Sequence, residues 1–241
     1  MKGKVGMRIL AIDSSSTVAS VAIVEEEKII GEYTINNKIT HSQTLLPMID
    51  EMFKISEISL ESIEAIAITS GPGSFTGLRI GSATAKGLGQ ALNLPLIEVP
   101  TLEAMAYNMF ATDKLVCPIM DARRNQTYTG VYKIVGEDLQ IVLDGTAVGI
   151  DELVSKLNEY DEEVIFIGDG IPAFKEFLLE NMKYTPIFAP THMNRQRAGS
   201  VGALGLKYYK EGKITNASDF RPDYFRKSQA EREMEEKLKN E

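Results

Sequence analysis

AIAITSGPG, residues 65–73, and VIFIGDGIP, residues 164–172, read the same way: a short apolar run closed by a glycine-bearing turn. Such runs suit a strand buried on both faces, and a helical pattern follows each of them. A second pair agrees. RILAIDSSS at 8–16 and VCPIMDARR at 116–124 each carry an apolar strand into an aspartate, Asp13 and Asp121. Echoes roughly 100 residues apart are the mark of an internal repeat.

Working outward from these anchors, strands are expected near 8–12, 18–25 and 29–36, then a helix at 42–55, a strand at 65–70, a helix at 75–92, a strand at 95–99 and a helix at 101–110. The second half repeats the order. Strands fall near 114–121, 127–135 and 138–147, followed by a helix at 150–160, a strand at 164–168, a helix at 171–181, an extended piece at 185–189 and a helix at 198–211. Three meandering strands followed by right-handed βαβ crossovers give a mixed sheet with helices on its faces. The expected fold is therefore α/β: a duplicated ribonuclease-H-like architecture of the actin, Hsp70 and sugar-kinase (ASKHA) type, two mixed-sheet lobes with flanking helices. Its N-terminal lobe spans 7–110 and its C-terminal lobe 111–226, leaving 1–6 and 227–241 as flexible or frayed ends.

Composition bounds the function. With 44% hydrophobic and 25% charged residues in 241, the chain reads as an ordinary soluble protein with a real core. Its one cysteine, Cys117 in KLVCPIM, suits a small core residue, and the absence of any possible internal disulfide fits a reducing cytoplasm. MKGKVGMRILAID is too short in apolar residues for a signal peptide, and no window approaches a membrane span. A net charge of −8 disfavours nucleic-acid binding by this chain alone, so a role near RNA needs a basic partner.

TSGPGSFTGLRIG, residues 69–81, has the strand–turn–helix geometry that aims backbone N–H groups at an anion. Pro72–Gly73 suits a type II turn. No Gly-Lys-Ser/Thr follows, and the glycines at 71, 73 and 77 miss the dinucleotide spacing, so the segment is either an anion cradle or only a tight turn. DSSSTVAS at 13–20 and DARRNQTYTG at 121–130 lack the early glycine of the nucleotide-binding members of the superfamily. Ser14–Ser16 could bond a phosphate or cap turns, and Arg123 and Arg124 could pair with one or simply be surface residues. The two histidines, His41 and His192, are far apart, so a zinc site has no support, and no G-x-S-x-G marks a nucleophile. His41 is expected as a capping or surface residue and His192 in a loop.

Two helices carry more information. In THSQTLLPMIDEMFKI, residues 40–55, Leu45, Leu46, Met48, Ile49, Met52, Phe53 and Ile55 cover an arc of about 180°, wider than the roughly 100° needed to rest on one sheet. Pro47 is tolerated if the helix starts around 42–44. In the next helix Gly77, Gly81, Ala85 and Gly89 form a stripe spaced four apart. Each mid-helix glycine costs about 1 kcal/mol relative to alanine, so a close backbone approach is expected somewhere. Either the stripe faces the sheet, leaving Leu78, Ile80, Leu88 and Leu92 for another cover, or it joins a helical bundle with a second chain. The expected partner-binding set is Leu45, Leu46, Ile49, Met52 and Phe53 on the first helix and Gly77, Leu78, Ile80, Gly81, Thr84, Ala85 and Leu88 on the second.

RILAIDSSSTVASVAI, HSQTLLPMIDEMF and AIAITSGPGSFTGLRIGSATAKGLGQALNLPLIEVPTLEAMA resemble the bacterial TsaB (YeaZ) family, firmly over residues 7–107, and RPDYFR resembles that family's P-x-Y-x-R ending at Pro222, Tyr224 and Arg226. The resemblance implies a part in making threonylcarbamoyladenosine (t6A) at position 37 of tRNAs reading ANN codons. It implies a non-catalytic subunit that binds and activates the similar TsaD, recruits the ATPase TsaE to the heterodimer, forms homodimers, and meets tRNA only within the complex. TsaD carries a metal-binding H-x-x-x-H where this chain has Thr101 and Met105 of TLEAM. A hydroxyl and a thioether do not replace two imidazoles. The resemblance thus implies no catalytic residue, no metal and no tightly bound cofactor here, with ATP or ADP and a metal on the partner subunits, and makes GPGSFTG the turn that launches an interface helix. On this reading Leu46→Asp or Gly81→Arg abolishes the heterodimer and leaves the fold intact. The alternative is an ATP-dependent enzyme of the superfamily, or a peptidase, acting by itself.

Overall fold

The structure, a computed structural model, describes residues 6–37 and 39–226. The expectations for MKGKV and for the charged tail QAEREMEEKLKNE lie outside the described residues.

The first half contains β1 (Ile9–Asp13), β2 (Val18–Val24), β3 (Ile29–Asn36), α1 (His41–Ser56), β4 (Ala65–Gly71), α2 (Phe75–Leu92), β5 (Leu96–Pro100) and α3 (Thr101–Ala106). The second contains β6 (Leu115–Asp121), β7 (Gln126–Val135), β8 (Asp138–Gly149), α4 (Ile150–Glu159), β9 (Val164–Ile167), α5 (Ile171–Asn181), β10 (Ile187–Phe188) and α6 (Ala198–Lys210). The sheets have matching orders, β3-β2-β1-β4-β5 and β8-β7-β6-β9-β10. In each, the first strand runs antiparallel to the second and parallel to the strand after the first helix. The duplication is real, and the fold is the expected one.

Strand alternation explains the layers. Leu10 and Ile12 of β1, Val21 and Ile23 of β2, and Ile66 and Ile68 of β4 point to the face covered by α1 and α2. Ile9, Ala11, Ala22, Val24, Ala65 and Ala67 point the other way, against α6. That face is made mostly of small residues, and α6 answers with Gly202 against Val24 and Ala11 and Gly205 against Ala67. In the second lobe α4 and α5 cover Leu115, Cys117 and Ile119, and α3 supplies Leu102 and Met105 to the opposite face.

Packing therefore does not follow the division at 110/111. The helix that ends the second half, α6, lies on the first sheet, whereas α3 sits between the sheets. The chain then returns to the first lobe. Thr215 pairs with Leu96, and Ala217 and Phe220 are buried in the α1–α2 core. Asp223 N–H donates to Ser70 O at 2.7 Å, the Tyr224 ring lies 4.3 Å from that of Phe75, and Arg226 Nη1 donates to Ala122 O at 2.7 Å. RPDYFR is thus a strap from the first lobe to the second.

Three local expectations change. α1 begins at His41, so Pro47 stands inside the helix rather than in its first turn. The acceptor it leaves without an N–H is that of Gln43, which is exposed, and water can serve there. Gly73 lacks the positive φ that the second central position of a type II turn requires, so Pro72–Gly73 is not one, and the Gly71–Pro72 peptide is cis. The helix expected at 101–110 stops at Ala106, and Asn108 instead bonds the carbonyls of Met193 and Arg195 at 3.1 and 2.8 Å.

Candidate functional site

The site begins at the turn after β1. Ser14, Ser15 and Ser16 are buried there, because the start of α2 is pressed onto them. A Cβ on Gly73 would strike the Ser15 carbonyl, one on Gly77 the Ser14 carbonyl, and one on Gly81 the Ser14 hydroxyl. Ser14 Oγ donates to Gly77 O at 2.9 Å and Ser74 N–H donates to Ser15 O at 2.6 Å. The Ser74 hydroxyl accepts from Gly77 N–H at 3.2 Å and so caps α2. Two of the amides at this helix mouth are therefore used inside the chain. The GPGSFTG segment is packed as a tight turn against Ser14 and Ser15.

Asp13 closes the floor of this turn. Its Oδ1 accepts from Ser15 N–H at 2.9 Å and from the Ser15 hydroxyl at 2.7 Å. Burial holds its carboxyl above the usual range, opposed by those two hydrogen bonds, by the Thr69 hydroxyl and by His41. His41 is buried, not a surface residue, and its Nε2 lies 2.8 Å from Ser16 O, which ties the start of α1 to the same turn.

The twelve expected partner residues divide. Leu45, Ile49 and Met52 of α1, and Gly77, Leu78, Gly81 and Ala85 of α2, are buried inside the first lobe. The stripe of small residues faces inward, since Gly89 too abuts Ala217 and Leu96. Leu46, by contrast, is 54% exposed, and Phe53, Ile80, Thr84 and Leu88 are half-buried. Ile55, on the other flank of α1, is 66% exposed. Gly81→Arg is accordingly a poor probe of an interface, because its side chain would displace Ser14 and Ile68.

Sequence reading missed a second stripe. Ala83, Gly87 and Ala91 are also spaced four apart, and all three are exposed on α2. No atom of the described residues lies within 4 Å of where a Gly87 Cβ would be. The spacing was in the sequence, but the inward stripe obscured it.

The matching turn of the second lobe is built differently. Asp121 is exposed and accepts from Arg123 N–H at 2.7 Å. Arg123, Arg124 and Asn125 follow one another at φ of 64°, 56° and 59°, a region that L residues seldom adopt in series. Among the described residues no helix fills this turn as α2 fills the first, although Arg226 reaches it at Ala122 O. Thr101 and Met105 lie one turn apart on α3, both buried, with Gln196 Nε2 3.4 Å from Met105 Sδ. Cys117 is buried in the second core, where burial pushes its thiol up to about 12. Among the described residues no helix is long and apolar enough to cross a membrane.

Two repeated α/β lobes, with the first-lobe turn occupied by the chain's own helix, define an ASKHA-type protein with an apolar helical flank. A family model described as "TsaD: tRNA N6-adenosine threonylcarbamoyltransferase" matches residues 28–234. The "tRNA threonylcarbamoyladenosine biosynthesis protein TsaB" of Bacillus subtilis is 31% identical over 93% of this chain and 96% of its own length, and that of Escherichia coli 29% over 93% and 96%. YeaZ from Pseudomonas aeruginosa superposes with a TM-score of 0.78 at 24% identity, over 90% of this chain and 99% of that one. The chain belongs to the TsaB (YeaZ) family.

Proposed function

We propose that this chain acts in tRNA threonylcarbamoyladenosine biosynthesis as a subunit without turnover of its own, binding and activating a TsaD-type threonylcarbamoyltransferase through the outer faces of α1 and α2. One observation carries the reading: Gly87 sits mid-helix on an exposed face with no neighbour to require it. A glycine there gives up about 1 kcal/mol of helix stability, which close approach by another backbone would offset. Leu46, Ile80, Thr84 and Leu88 supply apolar area around it, as the centre of an interface needs. The same face serves self-association, and TsaE and tRNA join through the heterodimer. The filled turn at Ser14–Ser16, and Thr101 and Met105 in place of two imidazoles, favour a scaffold over an ATP-dependent enzyme or a peptidase.

Analytical ultracentrifugation of the chain, alone and mixed with TsaD of its own organism, tests this alongside a nucleotide titration. A one-to-one complex, without tight ATP binding by the lone chain, is expected. No complex together with micromolar ATP binding would overturn the proposal.

A further inference from the structure

The RPDYFR segment, residues 221–226, has no part in the outer face of α1 and α2, yet both lobes are shaped to receive it. Asp223 N–H donates to Ser70 O at 2.7 Å, at the end of β4, and Arg226 Nη1 donates to Ala122 O at 2.7 Å, just past the end of β6. The segment therefore crosses the carboxyl ends of one strand from each lobe, where open α/β sheets take their ligands. Two glycines make room for it. A Cβ on Gly71 would strike Asp223 O, and one on Gly145, within β8, would come to 2.9 Å from the Phe225 ring. A glycine inside a strand weakens it and marks a close approach, and what approaches here is the chain's own strap.

Two rings complete the seat. Tyr224 lies 4.3 Å from Phe75, the first residue of α2, and Phe75 also carries Arg79 Cζ at 4.1 Å. Phe225 enters the second lobe, edge-on to Tyr128 at 6.2 Å and in the cluster that holds Leu102 of α3. That helix packs against strands of both sheets, which makes it the hinge between the lobes. Against these contacts stands one repulsion: burial raises the Glu98 carboxyl of β5, and the Asp223 charge raises it further. The strap is thus held across the lobes by a pair of hydrogen bonds and a pair of rings. Contacts so few can release while both cores stay folded.

We propose that Asp223–Arg226 is a latch: it occupies the crevice between the lobes in place of a ligand and holds them at one angle about α3, and cutting its contacts frees the turns on either side without unfolding either lobe. Through Tyr224 and Phe75 the latch also bears on the start of α2. Its test does not depend on any partner protein.

Hydrogen exchange of the full chain, read by mass spectrometry, compares the wild type with the double variant Phe225→Ala, Arg226→Ala. Amides of residues 69–73 and 121–126 are expected to exchange about tenfold faster in the variant, with β2 and α4 unchanged. Arg226→Lys keeps a donor for Ala122 O and is expected to stay within about twofold of the wild type. If the double variant fails to fold, Arg226→Ala alone replaces it, read at 121–126. Unchanged exchange at the turns would overturn the proposal. So would equal acceleration in β2 and α4, which marks a general loss of stability, or an acceleration by Arg226→Lys as large as that of the alanine variant.

Discussion

The second lobe is a control for the first. α4 and α5 stand on their sheet as α1 and α2 stand on theirs, yet they are finished for water. α4 buries Ile150, Leu153, Val154 and Leu157 and turns Asp151, Glu152 and Lys156 outward, with Lys156 Nζ 2.8 Å from Glu152. α5 exposes Leu179, a lone leucine flanked by Glu180 and needing no explanation. α1 exposes Leu46 and Ile55 on its two flanks, and α2 adds Ala83, Gly87 and Ala91. The turns differ in the same sense, since Asp13 is buried and Asp121 is exposed. One architecture used twice is finished for water on the second pair of helices and less so on the first, which is the asymmetry that the proposed interface calls for.

The largest effect is expected from importing bulk into the filled turn. Gly77→Val would force a side chain onto the Ser14 carbonyl and His41, at a loss of about 3 kcal/mol, read as a fall in the urea midpoint. At the offset that sets Ser70 against Asp169, Gly77 falls on Glu176, which is exposed. Glu176→Val should leave the midpoint nearly unchanged. Equal losses would mean that the two turns are packed alike.

Association comes next. Leu46→Asp is expected to weaken pairing with the TsaD-type partner about tenfold to a hundredfold, with the melting temperature of the lone chain held, by ultracentrifugation and calorimetry. Leu179→Asp on the second lobe should leave pairing untouched. If both weaken it equally, the contrast between the helix pairs has no bearing on binding.

A carboxyl sharpens the comparison further. Where the first lobe has Ser70, the second has Asp169, whose carboxyl burial pushes up to about 6 from its ordinary 3.8. Protonation therefore favours the folded state. The stabilisation is complete below about pH 3.8 and is lost as pH rises through about 6. Asp169→Asn should gain about 2 kcal/mol over the wild type at pH 7.5 and nothing at pH 3.5, in urea titrations at the two pH values. A gain of the same size at both would locate the effect elsewhere than in ionisation.

Much of this was legible in the sequence, and the limits are physical. Apolar runs ending in Asp13 and Asp121, with the echo of AIAITSGPG in VIFIGDGIP, were enough to place two sheets, because burial on both faces demands such runs. They could not place α6. Its Gly202 and Gly205 fit Ala11 and Ala67 of the first sheet and its Gly199 fits against Ile29 and Glu32, and complementarity between segments so far apart in the chain leaves no local signal. On α2 a stripe of glycine was evident, but not its direction, which depends on whether Ser14 or a second chain meets it. The sequence makes His41 only a capping or surface residue, because the bond to Ser16 O that accompanies its burial is made by the fold. The outward face of α2 needed the coordinates for the same reason: only once Gly77, Gly81 and Gly89 had found partners could Gly87 be seen to lack one.

Gly87 accordingly gives the smallest effect and the one that divides the two explanations. In the lone chain Gly87→Ala meets no atom within 4 Å and should stabilise by about 1 kcal/mol through helix propensity alone. If a partner's backbone comes to rest on this face, the same methyl must hold it off, and pairing should weaken as the monomer strengthens. Gly77→Ala would instead weaken the monomer first, because there the neighbouring backbone is the chain's own. Opposite signs in stability and association, measured on one sample by urea titration and ultracentrifugation, are the expected outcome for Gly87. A gain in both would leave its retention unexplained and remove the observation on which the interface rests.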